Sequence, residues 1–163
     1  LDWWIVQISI MFDPMEFHLC TMSHFLPVIF CVALSTVSTQ LFSQQIKVAA
    51  NVFPTSTQIV VSKGETYKIS AEGKWQDSDF PPSDANGFKG FTAPMFFGML
   101  LKPLPSQYYM KLCGKVGNWK FPIGISTEVI MKRDGELLLF ANDAKGFFDN
   151  NSGILKVTLK KTN

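Results

Sequence analysis

After Gln45 the chain falls into a run of short alternating segments. IKVAANV, TQIVVS, ETYKISAEG, YMKLCGKVG, ISTEVIMK, GELLLFAND and GILKVTLK each alternate apolar with polar residues or carry β-branched and aromatic side chains. A period of two sends successive side chains to opposite faces of a strand, so each run has one face suited to a core and one suited to water. Between the runs stand SKGE, PPSDANG, VGN and KRDGE, each with a Gly beside Asn, Asp, Ser or a charge, the chemistry that closes hairpins. Seven such strands with no competing helical period predict an all-β fold, an antiparallel β-sandwich. No repeat or linker divides residues 44 to 163, which read as one domain.

Two stretches depart from this rhythm. Phe88 to Leu104, FKGFTAPMFFGMLLKPL, is apolar without clean alternation and is bracketed by Gly and Pro. It predicts a long connection packed over one end of the sandwich, with room for a short strand; left facing solvent, it would mark an interface. Phe25 to Leu34, FLPVIFCVAL, is an uncharged apolar stretch of about ten residues, the length of a signal-peptide apolar region and too short for a bilayer. Residues 1 to 43 are therefore expected to be upstream sequence and a leader starting at Met22. Cleavage is expected near Ser43 or at the small pair Ala33 and Ser35, giving a secreted, periplasmic or cell-surface domain with no membrane segment in its mature form. The segment after Met22 begins Ser-His without Lys or Arg, which leaves a retained anchor as the alternative. Phe30 directly before Cys31 does not suit a lipoprotein cleavage box.

Composition and charge narrow the possibilities. The 163 residues are 47% apolar and 13% aromatic, enough to fill one core. The formal charge is +2, yet residues 1 to 43 hold three acids and no Lys or Arg, so 15 basic and 10 acidic residues follow, near +5. The lysines are spread singly apart from pairs such as Lys132 with Arg133 and Lys160 with Lys161, a solvated face rather than a nucleic-acid patch. His18 and His24 both precede residue 44, which removes Ser-His-Asp and Cys-His catalysis and any His-containing zinc site from the domain. Cys113 is the lone cysteine there, so no disulfide forms within it, and its apolar setting predicts a small core residue.

The segment NDAKGFFDNNSG, Asn142 to Gly153, crowds Asp143, Asp149, Asn150 and Asn151 between two strands. Asn, Asp and Gly are also what an ordinary polar turn favours. Calcium, a hard cation taking six to eight oxygens, is the other occupant such a loop suits.

In order along the chain, KGETYKISAEGKW, SDANG, KLCGKVGNWKFPIG and GELLLFANDAKGFFDNNSGILKVTL resemble the bacterial calcium-dependent, galactose-binding PA-I-like lectin domains. The resemblance covers most of Ile46 to Lys160 and implies a jelly-roll or galactose-binding-domain-like sandwich. It implies a Ca2+ ion held by the side chains of Asp143, Asn150 and Asn151 and by the main-chain carbonyls of Phe147 and Asp77, with the Asp77 carboxylate as a further oxygen. Two open positions on such an ion would take neighbouring sugar hydroxyls, whose outer edges meet Asp143, Asn150 and Asn151. Galactose-binding members hold the exocyclic hydroxyl with a His and a Gln; SDFPPSDANGFKGF has neither, and Asp84 and Asn86 are the available substitutes.

Among aromatic residues, Trp119 and Tyr109 are expected in the core, while Trp75 stands evenly between core and sugar platform. Of Phe147 and Phe148, one is expected beneath the loop and the other against the ligand. The expected function is non-catalytic carbohydrate binding through Ca2+, with a glycan partner and homo-oligomers useful for avidity. The alternative is a structural or adhesive sandwich that binds protein. A hydrolase built on two of Asp77, Asp84, Glu128, Asp143 and Asp149 lacks a second element to form a cleft, so the domain is expected not to be an enzyme.

Overall fold

Strands form where the period of two predicts them. The computed structural model describes residues 43–77, 80–90 and 93–163; the leader expected over residues 1 to 43 lies outside them except for Ser43, which opens the first strand. Eight strands follow in chain order: β1 (Ser43–Ala49), β2 (Thr55–Val61), β3 (Thr66–Asp77), β4 (Leu112–Val116), β5 (Trp119–Pro122), β6 (Ser126–Ile130), β7 (Gly135–Ala141) and β8 (Asn151–Lys161). They pair antiparallel into two four-stranded sheets, β1-β8-β3-β6 and β2-β7-β4-β5.

The inner faces are the apolar halves of the alternation. Tyr67, Ile69, Ala71 and Trp75 on β3 and Leu155, Val157 and Leu159 on β8 meet Leu137, Leu139 and Ala141 on β7 and Leu112 and Val116 on β4 in one buried cluster. Each fully buried Leu there contributes about 1.5–3 kcal/mol relative to exposure. Val129, Ile46 and Trp119 pack against this cluster from its margin. Cys113 and Phe140 face each other across β4 and β7, are also buried, and lie outside that cluster, so the expected core role of the cysteine holds on the other face of the sheet.

β3 and β8 are the longest strands, and their register runs unbroken from Tyr67 opposite Lys161 to Asp77 opposite Asn151. Gly153 makes this approach possible at the far end: its φ is +92°, and a Cβ there would lie 2.7 Å from the Lys74 carbonyl and from the Trp75 Cα. Gly73 has the same role one turn of pleat away, with φ +112° and 2.8 Å to the Ile154 carbonyl. The consequence is a fixed juxtaposition of Asp77 and Asn151 where the two strands end.

Two elements differ from expectation. β5 is a strand that the alternation does not announce, because it has only four residues and ends in Pro122; as an edge strand it tolerates a residue with no amide donor. The described residues of the Phe88 to Leu104 stretch hold no strand but a helix, α1 (Ala93–Gly98), and a 3-10 turn, Met99–Leu101. A run this short and this uniformly apolar has no polar face to display a helical period. Met95 is buried beneath the segment in a small cluster with Tyr109 and Ala144, while Phe96, Leu100 and Leu101 remain exposed. Among the described residues no helix is long and apolar enough to cross a membrane.

Candidate functional site

The loop from β7 to β8 crosses from one sheet to the other, and Asn142 and Asp143 begin it. Both are buried although both are polar, so their bonding partners decide what they do. Asn142 is a clamp. Its amide nitrogen donates to the carbonyls of Leu104 at 3.0 Å and Tyr108 at 3.1 Å, and its side-chain oxygen accepts from the Leu104 amide at 3.0 Å. The residue thereby fastens the connection after α1 to the end of β7. Sequence reasoning gave Asn142 no role, although the Asn-Asp pair was the available signal.

Asp143 is only 1% exposed. One carboxylate oxygen accepts from the Ala144 amide at 2.7 Å and the other from the Asn151 side-chain amide at 2.8 Å. Burial pushes its pKa up, while the bonds from Asn151 and Ala144 and the more distant charge of Lys102 pull the other way. Asp77, the last residue of β3, is buried too, and its carboxylate accepts from the Asn150 amide at 3.0 Å. Its main-chain carbonyl accepts from the Phe80 amide at 3.0 Å. The Asn151 amide nitrogen thus faces Asp143, whereas its carbonyl oxygen is buried with no hydrogen-bond partner among the described residues. An orphaned buried oxygen of this kind carries a desolvation penalty of about 1–3 kcal/mol unless something satisfies it.

Asp77, Asp143 and Asn150 line one side of a cavity of about 310 Å3. Phe80, Met95, Leu101, Tyr109 and Phe147 also line it, with Gly98 and Ala144, so the cavity joins polar groups to an apolar wall. Phe147 is 57% exposed at its rim, and its amide closes a turn on the Ala144 carbonyl. Phe148 is half-buried and stacks on Phe53 at 4.6 Å between ring centroids, which settles which of the pair packs beneath the loop. Tyr109 is buried as expected, with its hydroxyl donating to the Met95 carbonyl at 2.8 Å, but one side of it also lines the cavity. Asp149 is exposed and does not line it.

Three expected ligand-binding residues lie elsewhere. Trp75 is 1% exposed, and its indole nitrogen donates to the Met110 carbonyl at 2.7 Å, so it is a core residue with its polar edge satisfied and no face for a sugar. Asp84 accepts from the Asn86 amide at 2.7 Å in an Asx turn. Asn86 in turn accepts from the Ile125 amide at 3.2 Å, tying this loop to the start of β6. Neither residue lines the cavity.

Among the described residues no three His, Cys, Asp or Glu side chains come together as a metal site. An ion here would have to rely on two carboxylates supplemented by amide and main-chain oxygens, a donor set that suits calcium and not zinc. The orphaned Asn151 oxygen fits such a set.

No protein-family model matches the chain, and no curated protein matches it. Among solved structures it is similar to the EclA N-terminal domain, a PllA-like lectin, with a TM-score of 0.57 and 22% sequence identity over 74% of this chain and 97% of that one. At that identity the likeness establishes the shared sandwich fold and leaves the site to be argued from its own residues.

Proposed function

We propose that this domain is a non-catalytic carbohydrate-binding module that uses Ca2+ at the β7–β8 loop. The single observation that carries the reading is the buried oxygen set at the ends of β3, β7 and β8: carboxylates of Asp77 and Asp143, with the partnerless side-chain oxygen of Asn151 beside them. The lectin-like fold and the resemblance of NDAKGFFDNNSG to the galactophilic lectins support the same assignment.

In this reading the side chains of Asp143, Asn150, Asn151 and Asp77, with the Phe147 carbonyl, hold the ion. Bound there, calcium would supply open oxygen positions for two neighbouring hydroxyls of a sugar. The side-chain amides of Asn150 and Asn151 donate to the Asp77 and Asp143 carboxylates, which holds the four side chains together at one place. Phe147 offers an exposed ring at the rim against which a sugar's apolar face can rest. A galactose-type sugar is the first ligand to test, although Asp84 and Asn86, engaged in their own turn, do not replace the His and Gln of galactose-binding relatives. Export from the cell agrees with the apolar leader and with an ion abundant outside cells.

The test is retention of the purified chain on immobilised galactose and mannose in millimolar calcium, with release by chelator. Passage through both columns in calcium contradicts the assignment for these sugars. Phe96, Leu100 and Leu101 favour a second reading, an adhesive module binding protein through this exposed apolar segment. Capture of a protein ligand that survives both chelator and Asp143→Asn but not Leu100→Ser would decide for it.

A further inference from the structure

A second cavity, of about 250 Å3, shares Tyr109 with the first, and every described residue lining it comes from Phe88 to Tyr109. The connection that departs from the strand rhythm, with the five residues that follow it, therefore builds a pocket that does not include Asp77, Asp143 or Asn150. Its character is opposite. Among the described residues Lys102 and Lys89 line it and no acidic residue does, and the rings of Phe88, Tyr108 and Tyr109 form aromatic walls.

Lys102 is the unusual member. A lysine is almost never buried unless paired, yet this one is 6% exposed. Its ammonium donates to the Gln107 carbonyl at 2.5 Å and sits 4.1 Å from the centroid of the Tyr109 ring. Among the described residues no carboxylate pairs with it; Asp143 bears on it only from beyond ion-pair distance. One neutral carbonyl and one ring face are incomplete compensation for a desolvated ammonium, which has three donors to satisfy. A second cation stands close by, because Lys111 donates to the Gln107 side-chain oxygen at 2.9 Å. Lys89, Ser106 and the half-exposed Tyr108, which also line the cavity, are exposed to solvent, so the cavity joins the surface to a buried lysine.

We infer that this pocket is a binding site for a carboxylate carried on a six-membered ring, with the carboxylate on Lys102 and the ring between Phe88 and the tyrosines. The volume admits one such ring, and an apolar ring face lying on aromatic side chains is the recognition used for both sugars and arenes. Two sources share the chemistry: a uronic acid residue of a glycan, and an aromatic carboxylic acid. The site does not depend on calcium, so it stands or falls apart from the function proposed above.

The experiment titrates the full chain, in chelator, with D-glucuronate, benzoate and, as neutral control, D-glucose, followed by calorimetry. At least one carboxylate is expected to bind while glucose does not. Preference for glucuronate identifies a sugar acid as the source, and preference for benzoate an aromatic acid. Lys102→Met is expected to weaken binding by about tenfold or more, the scale for losing a buried charge partner. Lys89→Met, at an exposed position, is expected to weaken it by about twofold to fivefold. Carboxylates that bind no better than glucose overturn the inference, as does binding unchanged in Lys102→Met. Should that variant not fold, Lys89→Met decides together with salt, since ionic recognition weakens as screening increases; binding insensitive to both overturns it.

Discussion

Asp143→Asn tests the candidate site because it should barely change stability in chelator and remove the gain in calcium. The wild-type carboxylate is buried, its pKa is pushed up by that burial, and its partners are one backbone amide and one side-chain amide. The substitution keeps the shape and keeps an oxygen for the Ala144 amide. Its new amide group meets Asn151, whose own oxygen has no partner to lose on turning over. Two charge-assisted bonds are exchanged for two neutral bonds, while a buried charge is removed, so stability in chelator should change by no more than about 1 kcal/mol in either direction. With calcium the expectation differs. An ion at about a hundred times its dissociation constant stabilises the wild type by about 2.7 kcal/mol, which for a domain of this size raises the melting temperature by roughly 10 °C. Asp143→Asn removes a central carboxylate ligand and should abolish that rise. Differential scanning fluorimetry of both proteins, in chelator and across a calcium series, reads all four states. A substituted protein that still gains the full calcium shift, or a wild type that gains none, refutes the reasoning.

Three further outcomes follow from named contacts. Asn142→Ala removes the bonds to Leu104 and Tyr108 and should lower stability by about 2–4 kcal/mol, read as a shift in the urea midpoint; a change below about 0.5 kcal/mol would mean the clamp is idle. Trp75→Phe leaves the Met110 carbonyl without its donor and should destabilise the fold by about 2–4 kcal/mol while leaving ligand affinity of the folded protein unchanged; weaker binding with an unchanged midpoint would return Trp75 to the site. Glu65 accepts from Lys161, from the Ser62 amide and from Tyr67, which hold its carboxyl below the usual range. Because its folded pKa is depressed, its contribution is present above the unfolded value near 4.5 and is lost as pH falls through the lower folded value. Glu65→Gln should therefore cost less than about 1 kcal/mol at neutral pH and nothing at pH well below the carboxylate range; a difference that persists there contradicts the assignment.

The strands that the sequence shows plainly are those with one buried and one wet face, such as β3 and β8, where burial repeats every second residue. β5 was hidden because four residues ending in Pro122 carry too few alternations to count, and α1 because its apolar run has no polar stripe. The loop NDAKGFFDNNSG was legible as a cluster of oxygen donors. What alternation cannot give is pairing across the sheet: that Asp77 stands opposite Asn151 depends on the register of strands 74 residues apart in the chain. Trp75 illustrates the same limit. Its neighbours along the chain are those of a turn-flanking aromatic, and only the Met110 carbonyl, brought in from the connection just before β4, shows that its polar edge points inward. Asp84 and Asn86 carry suitable side chains for a ligand, but each is already engaged by a nearby backbone amide. The Lys102 pocket left no trace of its own, since a single lysine among apolar residues reads as an ordinary surface cation.

The central claim is that sugar and calcium meet at Asp143, Asn150 and Asn151. A glycan array probed with the labelled wild type in calcium, in chelator, and with Asp143→Asn in calcium tests it most directly. The account predicts a set of bound glycans in the first condition that disappears in both of the others. Glycan binding that persists in chelator or survives Asp143→Asn would contradict it.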